Sequence, residues 1–121
     1  MSERPIVPSS RAVILGGSGL VDFDRVNASA LRNADGVVRA LLPDGRREGA
    51  EWVARNPMRP DKTPGSFKIN LTTGKWSDFA TGDRGGDLVS LAAYVTGLTQ
   101  REAAIRLGES LGVDPFQGGR R

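Results

Sequence analysis

Basic side chains are concentrated between residues 55 and 84, around a single tryptophan. The six basic residues of this stretch outnumber its three aspartates, which leaves a local charge of +3. Ammonium and guanidinium groups bind phosphates and an aromatic ring stacks on bases, so this combination is typical of single-stranded nucleic-acid binding. The predicted phosphate contacts are Arg59, Lys62, Lys68, Lys75 and Arg84, and Trp76 is the predicted stacking platform. The alternative is a solvated sheet face with Trp76 buried, because charged side chains are usually exposed.

Two strands are predicted to position these side chains. Residues 66–71 alternate, with Phe67 and Ile69 on one side and Lys68 and Asn70 on the other. A period of two is the pattern of a half-buried strand. Thr-Thr-Gly at residues 72–74 predicts a reversal, and residues 75–79 return beside the first strand. We therefore expect Lys68, Lys75 and Asn70 to share one solvated face.

A glycine-rich loop at residues 81–87 leads into two predicted helices. Amides at a helix N-terminus can hold a phosphate, but Asp87 as the N-cap would occupy them. The loop is therefore predicted to be a structural turn, with Arg84 as its functional residue. The first helix covers residues 88–95 and ends at Gly97, and a capping box of Thr99 and Glu102 begins the second.

The region before the basic stretch predicts one helix and a further strand or hairpin arm. Apolar residues recur every 3.6 positions over residues 24–42, and Pro-Asp-Gly at 43–45 ends that helix. Residues 46–54 carry Trp52, which is expected in the core rather than as a ligand platform. The predicted fold is α+β: a small antiparallel sheet of three to four strands, with an N-terminal helix and two C-terminal helices. The predicted divisions are a flexible arm (1–21), a domain (22–113) and a flexible tail (114–121).

Composition excludes several kinds of site. The 121 residues include no cysteine and no histidine, which removes disulfides, thiolate catalysis, cysteine-based zinc sites and the usual general base. No convergent catalytic set is visible, so we expect a non-enzyme without cofactor or metal. The N-terminal Gly-Gly-Ser-Gly lacks the full spacing of a dinucleotide-binding motif. No apolar run is long enough to span a membrane, no signal peptide is apparent, and a cytoplasmic location is expected.

The order of motifs in the basic stretch resembles the zinc-binding domain of bacterial and phage replicative primases. That family has Cys-Pro-x-His, Lys-Thr-Pro-Ser-Phe, two strands, Cys-x-x-Cys and Gly-Asp before an apolar helix. Here Asn-Pro-Met-Arg occupies residues 56–59, Lys-Thr-Pro-Gly-Ser-Phe residues 62–67, and Gly-Asp residues 86–87. The residues at the four ligand positions are Asn56, Arg59, Asp78 and Thr81. This pattern resembles a zinc-less variant at the N-terminus of primase-helicase proteins of phages, plasmids and integrated elements.

The resemblance implies a zinc-ribbon-like fold without metal, in which packing must replace the stabilisation by zinc. The aromatic residues expected to supply it are Trp52, Phe67, Trp76 and Phe79. It also implies contact with a single-stranded template, with nucleotide transfer left to a separate catalytic domain. The leading hypothesis is a non-catalytic single-stranded DNA-binding accessory module of a mobile-element priming system. The alternative is a protein-interaction module that docks on a primase, helicase or polymerase, or inhibits a host factor, through residues 13–15 and 88–95.

Overall fold

The structure, a computed structural model, describes residues 19–58 and 66–117. Arg59 and Lys62, two of the predicted phosphate contacts, lie outside the described residues. So do the N-terminal segment 13–15, most of the predicted arm and the last four residues of the predicted tail.

Two helices, α1 (Phe23–Arg32) and α2 (Ala34–Leu41), stand where one was predicted. Asp22 caps α1 by accepting a hydrogen bond from the Arg25 backbone amide at 2.9 Å. Asn33 separates the helices with φ −119° and ψ 31°, and its side-chain amide donates to the Ser29 carbonyl at 2.9 Å. A short polar side chain that bonds to nearby backbone competes with helical geometry, which explains the break.

Five strands form one antiparallel sheet whose order in space follows their order in sequence. The strands are β1 (Arg46–Glu48), β2 (Glu51–Ala54), β3 (Phe67–Asn70), β4 (Trp76–Asp78) and β5 (Arg84–Gly85). The α+β class is confirmed. The sheet exceeds the predicted three to four strands because residues 46–54 form a complete hairpin and the glycine-rich loop adds the two-residue β5 along β4.

Helices α3 (Leu88–Thr96) and α4 (Gln100–Leu111) follow the sheet, with the predicted caps. The Asp87 carboxylate accepts from the Ser90 amide at 2.8 Å, and Gly97 ends α3 with φ +79°. Thr99 and Glu102 form both bonds of the capping box. Within residues 19–58 and 66–117, no helix has the length and apolar character needed to cross a membrane.

The main core lies between the inner face of the sheet and helices α2 and α3. Trp52, 1% exposed, is a core residue as predicted, and its indole Nε1 donates to the Leu42 carbonyl at the end of α2 at 3.0 Å. The Phe67 and Trp76 rings meet edge to face at 5.9 Å. A second cluster joins α1, α3 and α4 through Val26, Val89 and Ala104. The prediction that Phe79 contributes to packing is wrong: its side chain is 71% exposed.

The chain beyond α4 is joined to the start of α1. Val21 and Phe116 form a β-bridge, and the Asp22 amide donates to the Pro115 carbonyl at 2.8 Å. The Arg25 guanidinium donates to the carbonyls of Asp114 and Phe116 at 2.9 and 3.0 Å. The division into arm, domain and tail stays a prediction, but residues 114–117 are bound to the folded body, beyond the predicted domain end at 113.

Candidate nucleic-acid interface

One face of the sheet turns away from the helices, and we call it the outer face. Successive strand residues point to opposite sides, so the outer face is formed by the neighbours of the buried Trp52, Phe67 and Trp76. Cross-strand pairing aligns one row of outer residues over all five strands: Arg46, Val53, Lys68, Ser77 and Arg84. Three of these five residues are basic. Strands lie about 4.8 Å apart, so Lys68 and Arg84, two strands apart, have backbones about 10 Å apart.

A second row of outer residues runs beside the first and changes in charge along its length. Glu48 pairs with Glu51, and Glu51 pairs with Asn70. The Asn70 amide donates to the Lys75 carbonyl at 2.7 Å, which places Lys75 next in this row. The acidic end of the row therefore lies at the β1 edge of the sheet, and its basic end lies on the strand next to Arg84.

The outer face contains a concavity of about 290 Å³ that brings together all four predicted site residues within the described part of the chain. Its lining consists of Glu51, Lys68, Asn70, Lys75, Trp76, Ser77, Phe79, Arg84 and Gly85. The sequence prediction that Lys68, Lys75 and Asn70 share a face agrees with this arrangement. The concavity carries three cationic side chains and one carboxylate.

The three cations of the concavity are available for a ligand. Lys68, Lys75 and Arg84 form no ion pair with any residue in the ranges 19–58 and 66–117. Other arginines differ in this respect, because Arg25 pairs with Asp22, Arg39 with Asp35 and Arg46 with Glu48. A cation without an internal partner can bind a phosphate without first giving up an ion pair.

The structure reverses the predicted environments of Trp76 and Phe79: the ring of Trp76 is buried and that of Phe79 is exposed. Trp76 is 5% exposed, its ring lies 4.8 Å from that of Tyr94, and its Nε1 donates to the Ser90 hydroxyl at 2.9 Å. Burial therefore argues against the predicted stacking role of Trp76. The exposed ring is Phe79, and the Lys68 ammonium lies 5.7 Å from its centroid.

Phe79 could have been found from the alternation alone. It lies two residues after Ser77 and four after Lys75, both of which face outward, so it belongs to the same side of the strand. It was assigned to the core instead because aromatic packing was expected to replace the stabilisation by zinc.

Two of the residues at the primase ligand positions, Asn56 and Asp78, meet in the interior. They are 1% and 0% exposed, and the Asn56 Nδ2 donates to the Asp78 carboxylate at 2.7 Å. Each side chain also accepts a hydrogen bond from a backbone amide two residues further on, which stabilises the local turn. The Met58 amide donates to Asn56 Oδ1 and the Ala80 amide to Asp78 Oδ1, each at 2.8 Å. The turn after β2 and the turn after β4 are thus joined by a hydrogen bond between buried side chains.

Tyr94 extends this network to the loop before β5. Its hydroxyl accepts from Asn56 Nδ2 at 2.8 Å and donates to the Asp83 carboxylate at 2.7 Å. Partial burial raises the pKa of the Tyr94 phenol; the bond from Asn56 opposes this effect and the Asp83 carboxylate reinforces it. We call Asn56, Asp78, Tyr94 and Asp83 the polar bridge. It holds Asp83, the residue immediately before Arg84 of the outer face.

The donor set at these positions does not fit zinc. The Asn56 side-chain amide points its nitrogen hydrogens at the Asp78 carboxylate. An amide nitrogen is only a donor, so it offers no lone pair to a metal at this place. Zinc sites in proteins are built mainly from thiolates and imidazoles, with carboxylates as the third kind of ligand. Thr81 is exposed, and its hydroxyl accepts from the Asp83 amide at 3.1 Å. Among the described residues, no three acidic side chains converge on a point that could hold a cation.

No protein-family model matches the chain, and no curated protein matches it. Among solved structures, it is similar to the crystal structure of the Aquifex aeolicus primase, comprising zinc-binding and RNA polymerase domains. The match has a TM-score of 0.64 and 20% sequence identity, and covers 84% of this chain. The fold is similar to that of part of this primase structure. The chain spans about a quarter of that protein's length, 24%, and at this identity the likeness concerns the fold alone.

Proposed function

We propose that this chain is a non-catalytic module that binds single-stranded template DNA during the priming of DNA replication. We assign it to the metal-free variant found in primase-helicase systems of mobile genetic elements, as the motif order suggests. In this proposal the module acts in the cytoplasm beside a primase, helicase or polymerase partner. The likeness of its fold to the Aquifex primase supports the priming context.

The observation that carries the proposal is the composition of the concavity on the outer face. Three cations that form no ion pair within the described part of the chain, Lys68, Lys75 and Arg84, lie around one concavity with the exposed ring of Phe79. Phosphates bind the cations and a base stacks on the ring, which is how single strands are held without sequence preference. Phe79 replaces Trp76 as the stacking platform. Arg59 and Lys62 remain predicted contacts in the segment between β2 and β3.

The alternative, a protein-interaction module, was expected to use the helix over residues 88–95. Five residues of α3 are buried in the domain itself: Leu88, Val89, Leu91, Ala92 and Ala93. This helix is therefore part of the core, and its apolar character is explained without a partner. The concavity of the outer face, by contrast, carries three cations that form no ion pair with the described residues, which favours nucleic acid.

The test is fluorescence anisotropy of a labelled mixed-sequence DNA oligonucleotide, titrated with protein at several salt concentrations. Each phosphate contact to a single strand contributes about 0.7 to the slope of log K against log salt. The double variant Lys68→Glu, Lys75→Glu should therefore weaken binding and reduce that slope by roughly 1.4. A matched control is Arg32→Glu, Arg106→Glu, which makes the same charge change on exposed residues of α1 and α4.

Two outcomes would contradict the proposal. One is an affinity of the wild-type protein weaker than tens of micromolar, about −6 kcal/mol. The other is an equal loss of affinity and slope in the two double variants, since that would mean that overall charge, and not the outer face, determines binding.

A further inference from the structure

The concavity contains one carboxylate, and phosphate binding does not explain it. Glu51 lies on β2 within the lining, and its carboxylate has no hydrogen bond or ion pair to the described residues. A negative charge repels a DNA backbone and lowers the affinity that the surrounding cations provide. Its presence suggests that Glu51 contacts a different part of the ligand.

Asn70, the cross-strand partner of Glu51, presents hydrogen-bond donors beside this carboxylate. Asn70 Oδ1 accepts from the backbone amides of Thr72 and Thr73 at 2.8 and 3.0 Å. These two bonds fix the orientation of the side chain and leave the Nδ2 hydrogens as its remaining polar groups. Directly paired residues have Cβ atoms about 5 Å apart. An acceptor and a donor therefore lie side by side at one end of the concavity.

The opposite end of the concavity is formed by Phe79, with Lys68 and Arg84 in the row between the two ends and Lys75 at the end of Glu51 and Asn70. Lys75 and Phe79 flank β4 and are four residues apart, so their backbones are about 14 Å apart. Lys75 is in the row of Glu51 and Asn70. The volume, about 290 Å³, is at the small end of ligand sites, which begin at roughly 300 Å³. These dimensions suit a single base with its phosphate on the cations.

We propose that the concavity is a subsite for one base and that Glu51 selects a base with an exocyclic amino group over thymine or uracil. An ionised carboxylate only accepts hydrogen bonds, and acceptance from the cytosine N4 amine is an established pairing for Glu. Asn70 Nδ2 donates to the adjacent ring nitrogen, N3 of cytosine or N1 of adenine. Uracil and thymine present a carbonyl oxygen where the amine would be, and this oxygen repels the carboxylate. The inference rests on the proposed function, since it requires that single strands bind here.

The test compares labelled oligodeoxycytidine and oligodeoxyuridine of one length at neutral pH. The two differ at the hydrogen-bonding edge of the base and share the same backbone, so phosphate contacts cancel in the ratio of their affinities. The wild-type protein is expected to prefer deoxycytidine by about tenfold, within the range of a specific base contact. Glu51→Gln should lower this ratio severalfold, because Gln both donates and accepts; the preference that remains is due to Asn70, whose donors suit N3 of cytosine and not the N3–H of uracil.

Glu48→Gln is the matched control, because it removes the same charge from the next position of the same row. Glu48 pairs with Arg46 and lies outside the lining of the concavity. This variant should change both affinities together and leave the ratio near tenfold. Equal binding of the two oligonucleotides by the wild-type protein, or an unchanged ratio in Glu51→Gln, overturns the inference and leaves the proposed function in place. Binding of neither oligonucleotide overturns both.

Discussion

The polar bridge and the outer face are two polar regions formed by neighbouring residues of the same strand. Asp78 of β4 points inward, is fully buried and accepts hydrogen bonds from Asn56 and the Ala80 amide. Ser77 and Phe79, on either side of it, point outward into the concavity. In the bridge, polar groups are matched with one another, whereas Lys68, Lys75 and Arg84 of the concavity form no ion pair with any residue in the described ranges.

This difference separates groups that stabilise the fold from groups available for a ligand. Buried polar groups are costly unless they are hydrogen-bonded, so the bridge is expected to contribute to stability and to tolerate little change. Exposed charges contribute little to stability, so their arrangement is free to serve binding. Substitutions at inward-facing residues of β4 should therefore change stability, whereas substitutions at their outward-facing neighbours should change binding of nucleic acid.

The largest expected effect on stability is that of Trp76. Trp76→Ala removes a buried ring that contacts Phe67 and Tyr94, and such substitutions cost about 4 kcal/mol of unfolding free energy. Urea denaturation followed by circular dichroism measures this loss. Phe79→Ala is the matched aromatic truncation on the outer face and should change stability by less than about 0.5 kcal/mol.

Phe79→Ala should affect binding rather than stability, in contrast to Trp76→Ala. Phe79→Ala should weaken binding of a mixed-sequence oligonucleotide by about 1 to 3 kcal/mol, the range for loss of one base–aromatic stack. If Phe79→Ala leaves binding unchanged, the exposed ring is not the stacking platform. If it unfolds the domain, the ring has a packing role that its exposure does not indicate.

The next largest effect is expected at the centre of the polar bridge. Asp78→Ala leaves the Asn56 amide and the Ala80 backbone amide without their buried acceptor, at a cost of roughly 3 kcal/mol. Ser77→Ala, one residue away on the half-buried outer side, should cost less than about 0.5 kcal/mol. Similar midpoints for the two variants in urea would show that the bridge does not stabilise the fold.

Local chemistry made much of this fold predictable. The Asp87 cap, the Gly97 end and the capping box of Thr99 and Glu102 depend on residues within four positions of one another, and all were found from sequence. The alternation of β3 likewise identified the face that carries Lys68. The break at Asn33 was missed because the apolar period continues through it, and a single side-chain bond decides the geometry there.

Contacts between distant residues were not predictable in the same way. Asn56 and Asp78 are 22 positions apart; the motif order predicted that they stand at metal-ligand positions of the resembled family, but it did not predict their bond to each other. The short β5 has no strand pattern of its own and depends on β4. The pairing of Glu51 with Asn70 likewise requires the register of β2 and β3, which no single strand contains.

The smallest expected effect concerns Tyr94, at the end of the polar bridge. Tyr94→Phe removes its hydrogen bonds to Asn56 and Asp83 and should cost about 1 kcal/mol at neutral pH. The pKa of Tyr94 is raised above its ordinary value of 10.0 in the folded protein, chiefly by partial burial. Above pH 10 the unfolded chain therefore loses this proton first, so the contribution of Tyr94 to stability is complete below its unfolded pKa and declines as pH rises through the folded pKa.

Urea titrations at neutral pH and above pH 10 test this dependence. The difference in unfolding free energy between wild type and Tyr94→Phe, which we call the gap, should narrow at high pH. A gap that widens with pH would mean that the folded state favours the phenolate, contrary to the arrangement of Asp83 beside the hydroxyl.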